Sequence, residues 1–146
     1  MMMDPRSSTG KTLDAGLWLD QLGQPSEWGS YAESYVLNVS FTGDLAGHEA
    51  ALREIYGGPL CVAAAQRTAA ELEEIQAGLP VALASAEAEA AGIYAAGGAS
   101  YATDVVRNVV VATVFAVVGD GQAWLDARYG AGVVILSSML VPVEVP

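Results

Sequence analysis

Residues 50–62 read Ala-Ala-Leu-Arg-Glu-Ile-Tyr-Gly-Gly-Pro-Leu-Cys-Val, and residues 123–135 read Ala-Trp-Leu-Asp-Ala-Arg-Tyr-Gly-Ala-Gly-Val-Val-Ile. Ala50, Leu52, Tyr56 and Gly57 recur as Ala123, Leu125, Tyr129 and Gly130, 73 residues further on. Each copy follows a β-rich run and leads into another. The reading is a strand–helix–strand unit used twice, over residues 35–64 and 108–143. At each corner the Gly is expected in a left-handed helix-ending position, with the Tyr packed beneath it.

Around the first copy, Tyr35, Leu37, Val39 and Phe41 alternate with Val36, Asn38, Ser40 and Thr42, the period of a half-buried strand. Asp44 is the expected N-cap of the helix, which carries Leu45, Leu52 and Ile55 on one face and stops at Gly57-Gly58-Pro59. Leu60–Ala64 follows as a short strand. Around the second copy, Asp104-Val-Val-Arg-Asn108 reads as a turn between two strands. Asn108–Val118, apolar on both faces, reads as a central strand covered on both sides. Gly119 interrupts it, Asp120 caps the helix, and Val133–Val143 closes the unit as the last strand, with Pro142 at a frayed or edge position.

Between the copies, Thr68-Ala-Ala-Glu71 has the form of a capping box before Leu72, Ile75 and Leu79. Gly78 and Pro80 are expected to end that helix. Residues 81–100, rich in Ala and Gly, leave helix and strand both open, with Ala82–Ala91 as a helix candidate and Gly97-Gly98 as a turn. Before the first copy, residues 1–12 read as a disordered polar tail, and Leu13, Leu17, Trp18 and Leu22 are spaced for a short helix ended by Pro25. Residues 13–146 are thus expected to form one α+β domain. Two β-α-β units sharing one antiparallel or mixed sheet, with helices on one face, would be a ferredoxin-like sandwich.

The 146 residues are 53% hydrophobic and only 16% charged, with 17 acids against 6 bases and a net charge of −11. Lys11 is the only lysine. Nucleic acids and anionic membranes require a basic surface, which this composition excludes as a design. A basic protein partner is favoured instead. The N-terminus has no signal-peptide pattern, and the longest apolar run, Val109–Val118, is shorter than the ~20 residues of a spanning helix. The expected location is cytoplasmic, or secreted if a leader has been removed.

The candidate chemical groups are few. Cys61, the single cysteine, is expected as an inert thiol in a buried strand, and His48, the single histidine, on the polar side of the first helix. One His and one Cys do not make an ordinary structural zinc site. Ser8-Thr-Gly-Lys-Thr12 resembles a phosphate-binding loop, but Pro5 stands where its first glycine belongs and no strand precedes it. No catalytic residue, cofactor or metal ligand is assigned. Glu71, Glu73, Glu74, Glu87 and Glu89 read as a solvated face that can dock a basic partner. Trp28, among Ser, Gly and Pro, is the best-placed aromatic for recognition, while Trp18 and Trp124 suit core or interface.

The run Tyr101-Ala-Thr-Asp104-Val-Val-Arg-Asn108-Val-Val-Val111, with the helix and strand after it, resembles the C-terminal part of prodomains of secreted bacterial chymotrypsin-like proteases of the streptogrisin and α-lytic type. That resemblance implies a small β-α-β module that docks on a partner through its sheet. The duplicated Tyr-Gly corners are also similar to those of uncharacterised actinobacterial proteins, and high Ala, Gly and Val with one Lys fits a GC-rich genome. The expected function is a non-enzymatic protein-interaction module. The alternatives are an acidic immunity or inhibitor protein that neutralises a basic partner, and a carrier or enzyme with a pocket between sheet and helices. A homodimer is compatible with each.

Overall fold

The structure, a computed structural model, describes residues 14–21, 35–96 and 98–140. The expectations for residues 1–13, Leu22, Pro25, Trp28, Gly97 and Pro142 lie outside the described residues. The chain is α+β and divides between Ala70 and Glu71 into two compact units.

The first unit contains β1 (Gly16–Gln21), β2 (Tyr35–Phe41), α1 (Leu45–Ile55) and β3 (Leu60–Ala64). β2 is central, antiparallel to β1 and parallel to β3, with Leu37 opposite both Leu19 and Leu60. The helix expected from Leu17 and Trp18 is therefore a strand. Leu17 and Leu19 alternate with Trp18 and Asp20, and pairing along the whole of β2 satisfies the backbone of β1 better than one isolated turn of helix.

One face of this sheet carries Leu37, Val39 and Phe41, the last two fully buried. His48 of α1 lies over it, its ring stacked on that of Phe41 at 3.8 Å between centroids and 4° between planes. His48 thus belongs to the apolar face of α1, not the polar one, because it falls three residues after Leu45 and four before Leu52. The opposite face is polar: Asp20 Oδ2 accepts from Asn38 Nδ2 at 3.0 Å and from Trp18 Nε1 at 3.3 Å. Cys61 is opposite Asn38 on that face and is exposed, contrary to expectation. The period of two turns Leu60 and Val62 to one side and the intervening Cys61 to the other, on an edge strand.

Asp44 occupies the N-cap of α1 in a left-handed conformation (φ 50°), and its side chain caps nothing. At the far end Tyr56 is the C-cap with φ −138°. Gly57 is not among the positive-φ residues, so the expected left-handed glycine is absent from this corner.

The second unit holds most of α2 (Ala69–Leu83), then α3 (Ala86–Ala90), β4 (Ile93–Tyr94), β5 (Ser100–Asp104), β6 (Val109–Val114), β7 (Ala116–Val117), α4 (Gly121–Tyr129) and β8 (Val134–Ser138). Here β6 is central, antiparallel to β5 and parallel to β8, while β4 and β7 form a separate pair. The turn at Asp104 is as read: its Oδ1 accepts from the amides of Val106 and Arg107, its Oδ2 from Arg107 Nε at 2.8 Å, and Asn108 takes φ 56°. Those contacts, led by the Arg107 side-chain hydrogen bond, hold the Asp104 carboxyl below its usual pKa. Asp120 caps α4 by accepting from Ala123 N, and Gly130 ends it at φ 105°.

Leu72, Leu79 and Leu83 of α2, Leu125 of α4 and Val110, Ala112, Val114 and Val134 of the sheet form one buried core. β6 alternates buried and half-buried residues, so only one of its faces is fully covered, and it stops before exposed Phe115. Gly92 is held at φ 85° with its amide carbonyl accepting from Val118 N at 2.7 Å, and any Cβ there would strike the Val118 carbonyl. Pro80 does not end α2. The spacing Leu72, Ile75, Leu79, Ala82, Leu83 continues past it, and burial of the last three offsets the cost of a proline in a helix, about 3 kcal/mol.

The two units repeat one plan: an antiparallel partner strand, a central strand, a crossover helix and a parallel third strand. Leu37 faces Leu60 in the first, and Val110 faces Val134 in the second, offsets of 73 and 74 residues. The repeat is therefore β-β-α-β, one strand longer than the sequence reading. Among the described residues the two copies lie in separate three-stranded sheets and not in the single sheet expected of a ferredoxin-like sandwich. Each central strand takes its second partner from just upstream, β1 or β5, which leaves no open side on β2 or β6 for the other copy.

Candidate interaction groove

In the second unit, α2 turns Leu72 and Leu79 into the core and leaves Glu71, Glu73 and Glu74 exposed. Gln76 lies at the margin of these faces, and its carboxamide reaches the neighbouring strand. Its Nε2 donates to the Tyr101 carbonyl at 3.1 Å and its Oε1 accepts from Thr103 Oγ1 at 2.7 Å. This pair of bonds fixes α2 against the outer edge of β5.

Two cavities adjoin there. One, of about 480 Å3, is lined by Glu73, Gln76, Ala77, Pro80, Tyr101 and Thr103. The other, of about 320 Å3, continues from Pro80 and Tyr101 to Leu83, Ser85, Glu89, Ile93 and Tyr94. Pro80 and Tyr101 line both, so the two make one groove with apolar walls. Glu73 contributes a carboxylate to one part and Glu89 to the other. Ser85 is the N-cap of α3, its Oγ accepting from Ala88 N and donating to the Ala82 carbonyl at 2.6 Å. It thereby sets the break between α2 and α3 that turns Glu89 toward the groove. Partial burial raises the Tyr101 phenol pKa, so the hydroxyl stays neutral and available as a donor.

Of the residues picked from sequence, Glu73 lines this groove, and Glu71 and Glu74 are exposed on the same helix. Glu87 and Glu89 are exposed on α3, and only Glu89 reaches the groove. Trp28 lies outside the described residues. Trp124 is half-buried against the core, with the Arg128 guanidinium 5.4 Å from its ring centre. Tyr129 packs on the core, whereas the Tyr56 ring lies against Gly58 in the first unit. Among the described residues no three His, Cys, Asp or Glu side chains gather as metal ligands, and no helix is long and apolar enough to cross a membrane.

Pro80 reads in the sequence only as a helix end, Tyr101 only as part of the prodomain-like run, and Gln76 carries no motif. The signal available was the leucine period running unbroken through Pro80, which places a helix-embedded proline beside a strand. No family model matches the chain, and no curated protein matches it.

Proposed function

We propose that the chain is a non-enzymatic protein-interaction module that docks a basic partner on the α2–β5 groove. The observation that carries this reading is the groove itself: apolar walls with a carboxylate in each part, on a molecule of net charge −11. Apolar contact supplies affinity and the acidic face accelerates encounter. The prodomain resemblance of the segment beginning at Tyr101 supports docking of a protein rather than turnover of a substrate. Neutralisation of a basic toxin or enzyme would use the same surface.

The test is the association kinetics of the purified partner, obtained by capture on the full chain and then produced separately. The association rate is expected to fall steeply as salt rises, because the Debye length shrinks from about 30 Å at 0.01 M to about 10 Å at 0.1 M. The Glu73→Gln/Glu74→Gln pair should slow association and flatten that dependence without moving the denaturation midpoint. An association rate indifferent to salt and to both substitutions would overturn the reading.

A further inference from the structure

We infer that the groove is built to receive an arginine side chain presented by that basic partner, an inference that rests on the interaction reading above. The first argument comes from Pro80. A proline has no N–H, so the carbonyl of Gln76, four residues earlier, loses its ordinary helical donor. Gln76 and Pro80 line the same cavity, so the turn of α2 that lacks this hydrogen bond forms part of the groove wall. The Gln76 side chain does not compensate, since its Nε2 and Oε1 are engaged by β5.

The second argument is the set of groups that line the groove. Glu73 and Glu89 are acceptors that carry charge, and among the described residues no lysine or arginine lines either cavity. A ligand rich in donors and positively charged completes such a site. A guanidinium has five donors in a planar fork and is only weakly hydrated, and an aliphatic stem accompanies it. Pro80, Leu83 and Ile93 suit the stem, and the Tyr94 and Tyr101 rings suit the flat cationic head. A small anion would meet two carboxylates here, and a purely apolar ligand would bury them unpaired.

The test uses N-acetyl-arginine amide as the probe, titrated into the full chain and followed by amide and methyl NMR shifts. N-acetyl-citrulline amide, of nearly the same shape but uncharged, is the control. Saturable shifts are expected at Leu83, Ala95, Ala96 and Tyr101, in the millimolar range of a single side chain, with citrulline at least about tenfold weaker. Glu89→Gln, an exposed position, should weaken binding at least about threefold. Pro80→Ala restores the donor to the Gln76 carbonyl, so it should weaken binding by a similar factor while raising the melting temperature. A melting temperature that rises without loss of affinity, equal binding of citrulline, indifference to Glu89→Gln, or no saturable shift would each overturn the inference. The interaction reading would then still stand on the salt dependence and on Glu73 and Glu74.

Discussion

The two Tyr-Gly corners are equivalent in sequence and different in structure. Gly130 takes φ 105° and its amide donates to the Asp126 carbonyl at 2.9 Å, whereas at the first corner Tyr56 itself is the extended C-cap and donates to Leu52. Tyr129 sits among core residues, with the Arg128 guanidinium 5.8 Å from its ring centre. Tyr56 covers a loop. Truncation should therefore separate them. Tyr129→Ala is expected to cost about 2–4 kcal/mol and Tyr56→Ala about 1 kcal/mol, since the penalty follows how much packed surface is lost. Urea midpoints of the two variants test this, and equal shifts would show that the corners are energetically the same despite their different packing. His48 gives the same lesson in another form. It looked polar because of its type, but its position in the turn of α1 sets it on Phe41.

At the scale of elements, the sheet of the second unit has both outer strands engaged by glutamines from helices. Gln76 of α2 bonds β5, and Gln122 of α4 bonds β8, donating from Nε2 to the Val134 carbonyl at 2.8 Å and accepting from Leu136 N at 2.9 Å. The Gln122 carboxamide takes the place of a neighbouring strand's peptide group, which protects an edge that would otherwise pair with another chain. Gln122→Ala should cost about 1–3 kcal/mol, because it leaves the half-buried edge of β8 without partners. It should also accelerate amide exchange at Leu136 selectively. Unchanged exchange there would mean that the edge is protected by other means. Docking through a strand edge is thus unfavourable at β5 and β8, and the proposed site lies instead against α2.

At the scale of the whole molecule, the two units share a plan and differ in how much apolar surface each buries within itself. Among the described residues the first unit buries Ala15, Val39 and Phe41, and α1 has no buried residue. The second unit buries a contiguous cluster from three helices and its sheet. Local opening free energy follows buried apolar contact. The amides of β6 should therefore exchange through a higher-energy opening than those of β2 under native conditions, which hydrogen-exchange mass spectrometry measures. Protection of β2 equal to that of β6 would show that the first unit is held by more than its own described packing.

What the sequence determined by itself is what depends on near neighbours. The duplication, the period of β2, the helices α1 and α4, the Asp104 turn and the Asp120 cap all arise from side chains within a few residues of one another, and each was legible. Composition likewise fixed the acidic character. The tertiary structure decided whatever required a distant partner. β1 is a strand because β2 lies alongside it. α2 continues through Pro80 because Leu79, Ala82 and Leu83 are buried. Cys61 is exposed because of the edge and face that its strand occupies. The groove has the same origin: Glu73, Gln76, Pro80 and Tyr101 are ordinary residues along the chain. They line one groove only when α2 is laid against β5, because burial and strand pairing act between residues that the sequence keeps apart.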